Sequence, residues 1–210
     1  MLMDLSCRGF IEEVDSPAPA PGGGSVAALA GALGAALVGM VGRLTLGKEK
    51  FALQEEAMTE AIAQAVKLKE ELKKCVDADC RAFTKVVEAY RLPKGTEEER
   101  KQRAAVIQRA MEEAARLPMT VAENSLAVLK LAGVIVEEGN PHALSDGGVA
   151  ALVAYAGIQG AIYNVEINLL SIKDAAFKSK LEEKKQKILK EAEINYILIR
   201  KRVSEKLCTL

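Results

Sequence analysis

Apolar side chains recur every three to four residues along most of this chain, with charged residues between them, the period of a helix with one buried face. Glycine and proline fall in clusters that mark the breaks. None occurs from Lys48 to Leu92, a stretch rich in Ala, Glu, Lys and Leu that predicts one long helix or two joined in line. Thr96 with Glu99 three residues on forms a capping box for the next helix, which is expected to stop near Leu117 before Pro118. Thr120 with Glu123 offers a second box, for a helix to about Glu138. Gly139-Asn140-Pro141 reads as a turn, with Ser145 or Asp146 capping a helix to about Leu169. Ser171 and Asp174 open the last helix, and Asp4–Val14 holds the first. Alternating β-branched runs are absent. The expected fold is all-α, a single-domain bundle over 1–210 of about seven helices.

Two helical stretches break the amphipathic pattern. Gly22–Gly42 and Gly147–Val165 carry no charge at all, and each is near the ~20 residues a bilayer span needs. Both are built mostly from Gly and Ala, Gln159 and Asn164 interrupt the second, and the other helices are strongly charged, so a membrane partner is not expected. Ala27, Gly31, Ala35 and Gly39 recur at every fourth position and give one helix face almost no side chain. Such a face admits another backbone closely. A helix apolar on every side needs more cover than one small bundle supplies, which favours a homodimer.

The chain has 210 residues, half of them apolar, with 29 basic and 29 acidic side chains. Zero net charge and few aromatics argue against nucleic acid as a partner. Four scattered cysteines and one histidine, His142, give no metal-ligand set and fit reduced thiols in a cytoplasmic protein. The N-terminus has no signal-peptide pattern.

Candidate chemistry lies in a few places. Pro17 to Ser25 alternates prolines and then runs Gly22-Gly23-Gly24-Ser25 into the first charge-free helix, with Ser25 as the expected cap. Bare N–H groups at such a helix start suit an anion. Gly22-x-Gly24-x-x-Ala27 matches a dinucleotide fingerprint only as a string, because prolines and no strand precede it. Gly42-x-x-x-x-Gly47-Lys48 is followed by Glu49, so it lacks the P-loop hydroxyl. Asp79 shares a helix face with Val76 and Phe83, where a carboxylate needs a partner or a task. Asn164 and Asn168 are one turn apart in an apolar helix, as a clamp on neighbouring backbone or as donors to a planar ligand.

These residues form a recognisable set. Pro19-x-Pro21-Gly22-Gly23-Gly24-Ser25-Val26-Ala27-Ala28 resembles the opening motif of the formimidoyltetrahydrofolate cyclodeaminase and methenyltetrahydrofolate cyclohydrolase family. The likeness continues in order through Leu44-Thr45-x-Gly47-Lys48, Asp79-x-x-Ala82-Phe83, Pro118-Met119, Gly139-Asn140, Ser145-Asp146 and Asn164-Val165-x-Ile167-Asn168-Leu169, over nearly the whole chain. It implies an all-helical dimer, a tetrahydrofolate derivative as substrate, no permanently bound cofactor or metal, and one-carbon chemistry between N5 and N10. It assigns no role to His142.

On those motifs, Asp146 and Asp79 are the expected carboxylates, one catalytic and one holding the pterin, with Lys48 steadying charge. Gly22, Gly23, Gly24, Ser25, Asn140, Ser145, Asn164 and Asn168 are the expected substrate contacts. The chain has no formiminotransferase-like segment, which tilts the expectation to hydrolysis of 5,10-methenyltetrahydrofolate. Cyclodeamination of formimidoyltetrahydrofolate is the alternative, and a non-catalytic folate-binding bundle the remote one.

Overall fold

The computed structural model describes residues 1–209, and among these there are six α-helices and no strand. They are α1 (Cys7–Val14), α2 (Gly23–Thr45), α3 (Glu55–Arg91), α4 (Glu97–Glu138), α5 (Leu144–Leu169) and α6 (Ala175–Leu207). The all-α expectation holds, with one helix fewer than the breaks suggested. Ser6 caps α1 after a short 3-10 turn at Leu2–Asp4, and Asp174 caps α6 by accepting from the Ala176 and Phe177 N–H groups. Thr96 and Glu99 form the expected capping box on α4.

The missing break is at Pro118. The helix runs straight through it, and Thr120 sits inside α4, its hydroxyl bonded to the Arg116 carbonyl rather than capping anything. A proline inside a helix removes one N–H and costs about 3 kcal/mol. Here the orphaned carbonyl four residues back, on Ala114, accepts instead from Asn168 Nδ2 of α5 at 2.9 Å. A side chain from the neighbouring helix supplies the donor that the proline lacks. Tertiary packing therefore overrides the local stop signal.

α2 and α5 form the centre and run antiparallel. Position 34 of α2 lies against the Ala150 carbonyl, Gly31 meets Gly157, and Ala27 meets Gly160. A Cβ on Gly157 would fall 3.0 Å from the Ala27 carbonyl oxygen, so the small-residue stripe does bring two backbones together. α3 packs on α2, and α6 packs on α4 and α5. α4 touches α2, α3, α5 and α6. α2, α4 and α5 are each long and apolar enough to cross a membrane by length and composition; here more than half of the apolar stretch of α2 and of α4 is buried inside the protein, and somewhat less than half of that of α5.

One side of the α2/α5 pair has no cover. Val26, Leu33 and Leu44 on α2 and Val149, Leu152, Tyr163 and Ile167 on α5 are exposed, Leu33 at 52% and Ile167 at 62%. The charge-free helices are thus not buried all round in a single chain. They leave an apolar strip along their common length.

Candidate functional site

The N-terminal end of α2 gathers the first group of expected residues. Gly22, not Ser25, occupies the cap position, and Ser25 lies in the first helical turn. The helix begins earlier because glycine tolerates the extended cap backbone, and Val26 is the first residue whose N–H finds a carbonyl, that of Gly22. The N–H groups of Gly23, Gly24 and Ser25 have no partner within the helix backbone. The Ser25 side chain turns inward, fully buried, with its Oγ 3.0 Å from the Val76 carbonyl oxygen and 3.0 Å from Asp79 Oδ2. Cys80 Sγ is 3.7 Å from the same oxygen.

Asp79 presses its carboxyl against the bare backbone of residue 24. A Cβ on Gly24 would lie 2.2 Å from Asp79 Oδ1, which no real contact allows, so this position has to be glycine while the carboxyl stays where it is. Gly23 faces Asn164 of α5, whose Nδ2 would be 3.5 Å from a Cβ there and donates to the Gly160 carbonyl. Burial pushes the Asp79 carboxyl above its ordinary range, opposed by hydrogen bonds from the Ser25 hydroxyl and backbone N–H. Burial also raises the Cys80 thiol. This end of the bundle therefore holds a partly buried carboxyl, the N–H groups of Gly23 and Gly24 at the helix start, and an amide side chain.

The second group sits at the other end of the same helices. Thr45 is buried at the end of α2, and its Oγ1 accepts from the Asn140 N–H at 2.9 Å. Asn140 Nδ2 and Lys48 Nζ both donate to the Leu44 carbonyl. Gly47, at φ +71°, makes the left-handed turn that returns Lys48 to that carbonyl. Asn140 Oδ1 caps a 3-10 turn at Pro141–Ala143 that leads directly into α5, so Ser145 and Asp146 lie within the helix and cap nothing. Proline at the first position of that turn starts the helical run before either residue is reached. Ser145 is exposed and Asp146 half-buried in the first turn of α5.

Within one chain the two groups are far apart. Twenty residues of α2 separate Ser25 from Thr45, about 30 Å at the helical rise, and Asp146 and Asn164 are about 27 Å apart along α5. Asp79 and Asp146 therefore cannot touch one small ligand in a single protomer. Asn168 belongs to neither group: it is the clamp on the Ala114 carbonyl, its other amide proton on the Asn164 carbonyl. Two residues near the first group were not anticipated from sequence. Cys80 borders Ser25, and Asp77, only 6% exposed, accepts from the Leu2 N–H at 2.6 Å and pins the N-terminal segment to α3. Nothing in a helical pattern distinguishes Asp77, because its partner is backbone from a distant segment. Among the described residues no three His, Cys, Asp or Glu side chains converge as metal ligands.

The family model described as formiminotransferase-cyclodeaminase matches residues 6–187. The chain belongs to the formiminotransferase-cyclodeaminase family. Its relatives in that family divide by length. It is 40% identical over 183 residues to a methenyltetrahydrofolate cyclohydrolase of Methylorubrum extorquens, covering 87% of this chain and 88% of that one. It is also 40% identical over 198 residues to the formimidoyltransferase-cyclodeaminase of Mus musculus, but spans only 37% of that protein's length. Among solved structures, a formiminotetrahydrofolate cyclodeaminase from Thermotoga maritima superposes with a TM-score of 0.88 at 29% identity, over 99% of this chain and all of that one. The two groups of residues described above fall within the matched segment of this formiminotransferase-cyclodeaminase family member.

Proposed function

We propose that this chain is a folate one-carbon enzyme that hydrolyses 5,10-methenyltetrahydrofolate to 10-formyltetrahydrofolate, without a resident cofactor. The observation that carries the reading is the half-buried carboxyl of Asp79, held at a helix N-terminus beside free N–H groups, in a chain whose cyclohydrolase relative it matches nearly end to end. The ionised carboxylate steadies the methenyl cation and takes a proton from water as its oxygen adds to the bridging carbon. The neutral adduct then collapses. Its hydroxyl proton goes to solvent, the carbon–N5 bond breaks, and Asp79 returns its proton to N5. One water is consumed and one proton released.

The Thermotoga structure supports a second reading, cyclodeamination. There N10 adds to the carbon of the protonated formimino group, –CH=NH2+, giving an aminal with a cationic N10. Asp79 takes the N10 proton and returns it to the amino group, and the C–N bond breaks to release ammonia and leave the methenyl cation. The same carboxyl serves both reactions.

The exposed apolar strip on α2 and α5 supports a homodimer about a twofold axis perpendicular to these helices. An antiparallel pairing sets the Asp79, Gly23, Gly24 and Asn164 end of one chain beside the Lys48, Asn140, Ser145 and Asp146 end of the other. In that arrangement both sets of motif residues face one substrate, with Asp79 at the reacting carbon and Asp146 at the pterin or the opposite face.

The test follows methenyltetrahydrofolate absorbance with purified protein, beside buffer and an Asp79→Asn chain. Decay faster than both establishes the cyclohydrolase. No acceleration, with ammonia released from formimidoyltetrahydrofolate, establishes the cyclodeaminase. Neither activity overturns the catalytic reading.

A further inference from the structure

The surroundings of Ser25 contain more acceptors than its hydroxyl can serve. Its Oγ is 3.0 Å from the Val76 carbonyl oxygen and 3.0 Å from Asp79 Oδ2, in a fully buried position with no exposure to water. A hydroxyl owns one proton, and a carbonyl oxygen can only accept. A proton shared between two acceptors serves each poorly, because both angles depart from linear. Both contacts are good hydrogen bonds only when Asp79 supplies the second proton: its carboxyl O–H donates to Ser25 Oγ, and Ser25 donates onward to Val76. When Asp79 ionises, that proton is gone. The Ser25 hydroxyl must then turn to the carboxylate, and the Val76 carbonyl keeps only its place in the α3 ladder.

We propose that Ser25 is a positioning residue with a two-position hydroxyl, directed at Val76 while Asp79 is protonated and at Asp79 once it is ionised. The hydroxyl thereby offers the carboxylate a donor only in the charged state and the acid an acceptor only in the neutral state, while the Ser25 backbone N–H stays a donor in both. The carboxyl gains and loses its proton while keeping its seat against the bare backbone of Gly24. This proposal rests on the reading of Asp79 as the acid–base group. No other charge nearby explains such a coupling. α2 carries no titratable group from Gly22 to Gly42, and α5 contributes the neutral Asn164. On α3 the neighbours are the thiols of Cys75 and Cys80, with Asp77 and Arg81 flanking along the helix.

The test is an infrared pH titration of the full chain without folate, reading the C=O stretch of the protonated carboxyl that Asp79→Asn abolishes. A hydrogen bond to the ionised group is worth about twice one to the neutral acid, so Ser25→Ala is expected to raise the midpoint by about one pH unit. Ser25→Thr, which keeps the hydroxyl, is expected to restore it. The pH profile of kcat/KM should move in step with the infrared midpoint. A folded Ser25→Ala chain whose midpoint is unchanged or lower overturns the proposal and leaves Ser25 as packing only. If Ser25→Ala does not fold, Ser25→Cys carries the test: its weaker donor still raises the midpoint, and a wild-type midpoint refutes the proposal. Failure of folate turnover leaves the infrared result standing, so the two readings fail separately.

Discussion

Asn168→Ala removes the donor that makes Pro118 tolerable inside α4. The Ala114 carbonyl would lose its 2.9 Å bond to Asn168 Nδ2 and, with a proline at 118, has no helical N–H to fall back on. Leaving a largely buried carbonyl unpaired costs about 1–3 kcal/mol. Asn168 is partly buried, so a value near ~2 kcal/mol is expected, lowering Tm by roughly 4–8 °C in a domain of this size. Restoring the N–H with Pro118→Ala should make the asparagine nearly dispensable. In that background Asn168→Ala is expected to cost under ~1 kcal/mol, a coupling of about 1 kcal/mol or more between the two positions. Thermal and urea unfolding of the four chains, followed by circular dichroism, measures it. If Asn168→Ala costs the same with proline or alanine at 118, the clamp does not act through the Ala114 carbonyl and the account of the unbroken helix is wrong. Below the melting transition, turnover by Asn168→Ala should stay within about threefold of wild type, because both of its amide protons are already given to the Ala114 and Asn164 carbonyls.

Other substitutions probe the remaining features. Gly24→Ala drives a methyl into the Asp79 carboxyl and is expected to lower kcat/KM at least ~100-fold while circular dichroism stays native, since the carboxyl must leave its seat. Ser125 is fully buried with no hydrogen-bond partner for its Oγ, so Ser125→Ala should be neutral or stabilising by up to ~1 kcal/mol in urea unfolding. Leu33→Glu on the uncovered strip should give a folded monomer without turnover, read by light scattering and activity together, and an active monomer would refute the shared site. Equal mixing of Asp79→Asn and Asp146→Asn chains should recover about a quarter of wild-type activity, because half the dimers then hold one intact site of two. On the surface, Arg202 holds the Glu137 carboxyl down to about 2. A depressed carboxyl stabilises the fold above its unfolded pKa and loses that contribution as pH falls toward the folded value. The pair is exposed, so the loss between about pH 4.5 and 2 should be small, and it should shrink in Arg202→Ala while Lys206 keeps part of it, as acid unfolding of the two chains would show.

Much of the fold was legible because its signals are local. Thr96 with Glu99, Asp174, the turn at Gly139-Asn140-Pro141 and the small-residue stripe from Ala27 each do in the structure what their chemistry suggests in one dimension. The departures have a common cause in partners distant along the chain. Pro118 reads as a stop until Asn168 is brought to Ala114, and Ser25 reads as a cap until α3 places Val76 and Asp79 over it. The site was half legible for the same reason. Gly23, Gly24, Ser25, Asp79 and Asn164, each named from its motif, lie together at one end of the bundle. Asp146, Asn140 and Lys48 lie at the far end, because motif order carries no information about which end of a long helix a residue occupies.

The backbone contact between α2 and α5 also restricts how this chain can change in length. One residue inserted into either helix would turn everything beyond it by about 100° and advance it ~1.5 Å. Gly31 would then no longer face Gly157, and the Asp79 end would lose its alignment with the Asn140 end. A Cβ on Gly34 or Gly157 would already meet the opposite backbone at 3.1 or 3.0 Å, so the crossing has little slack to absorb the slip. The two central helices thus behave as a ruler of fixed length, and insertions and deletions among relatives should fall in the loop between α3 and α4, in the loop after α5, or beyond the end of α6.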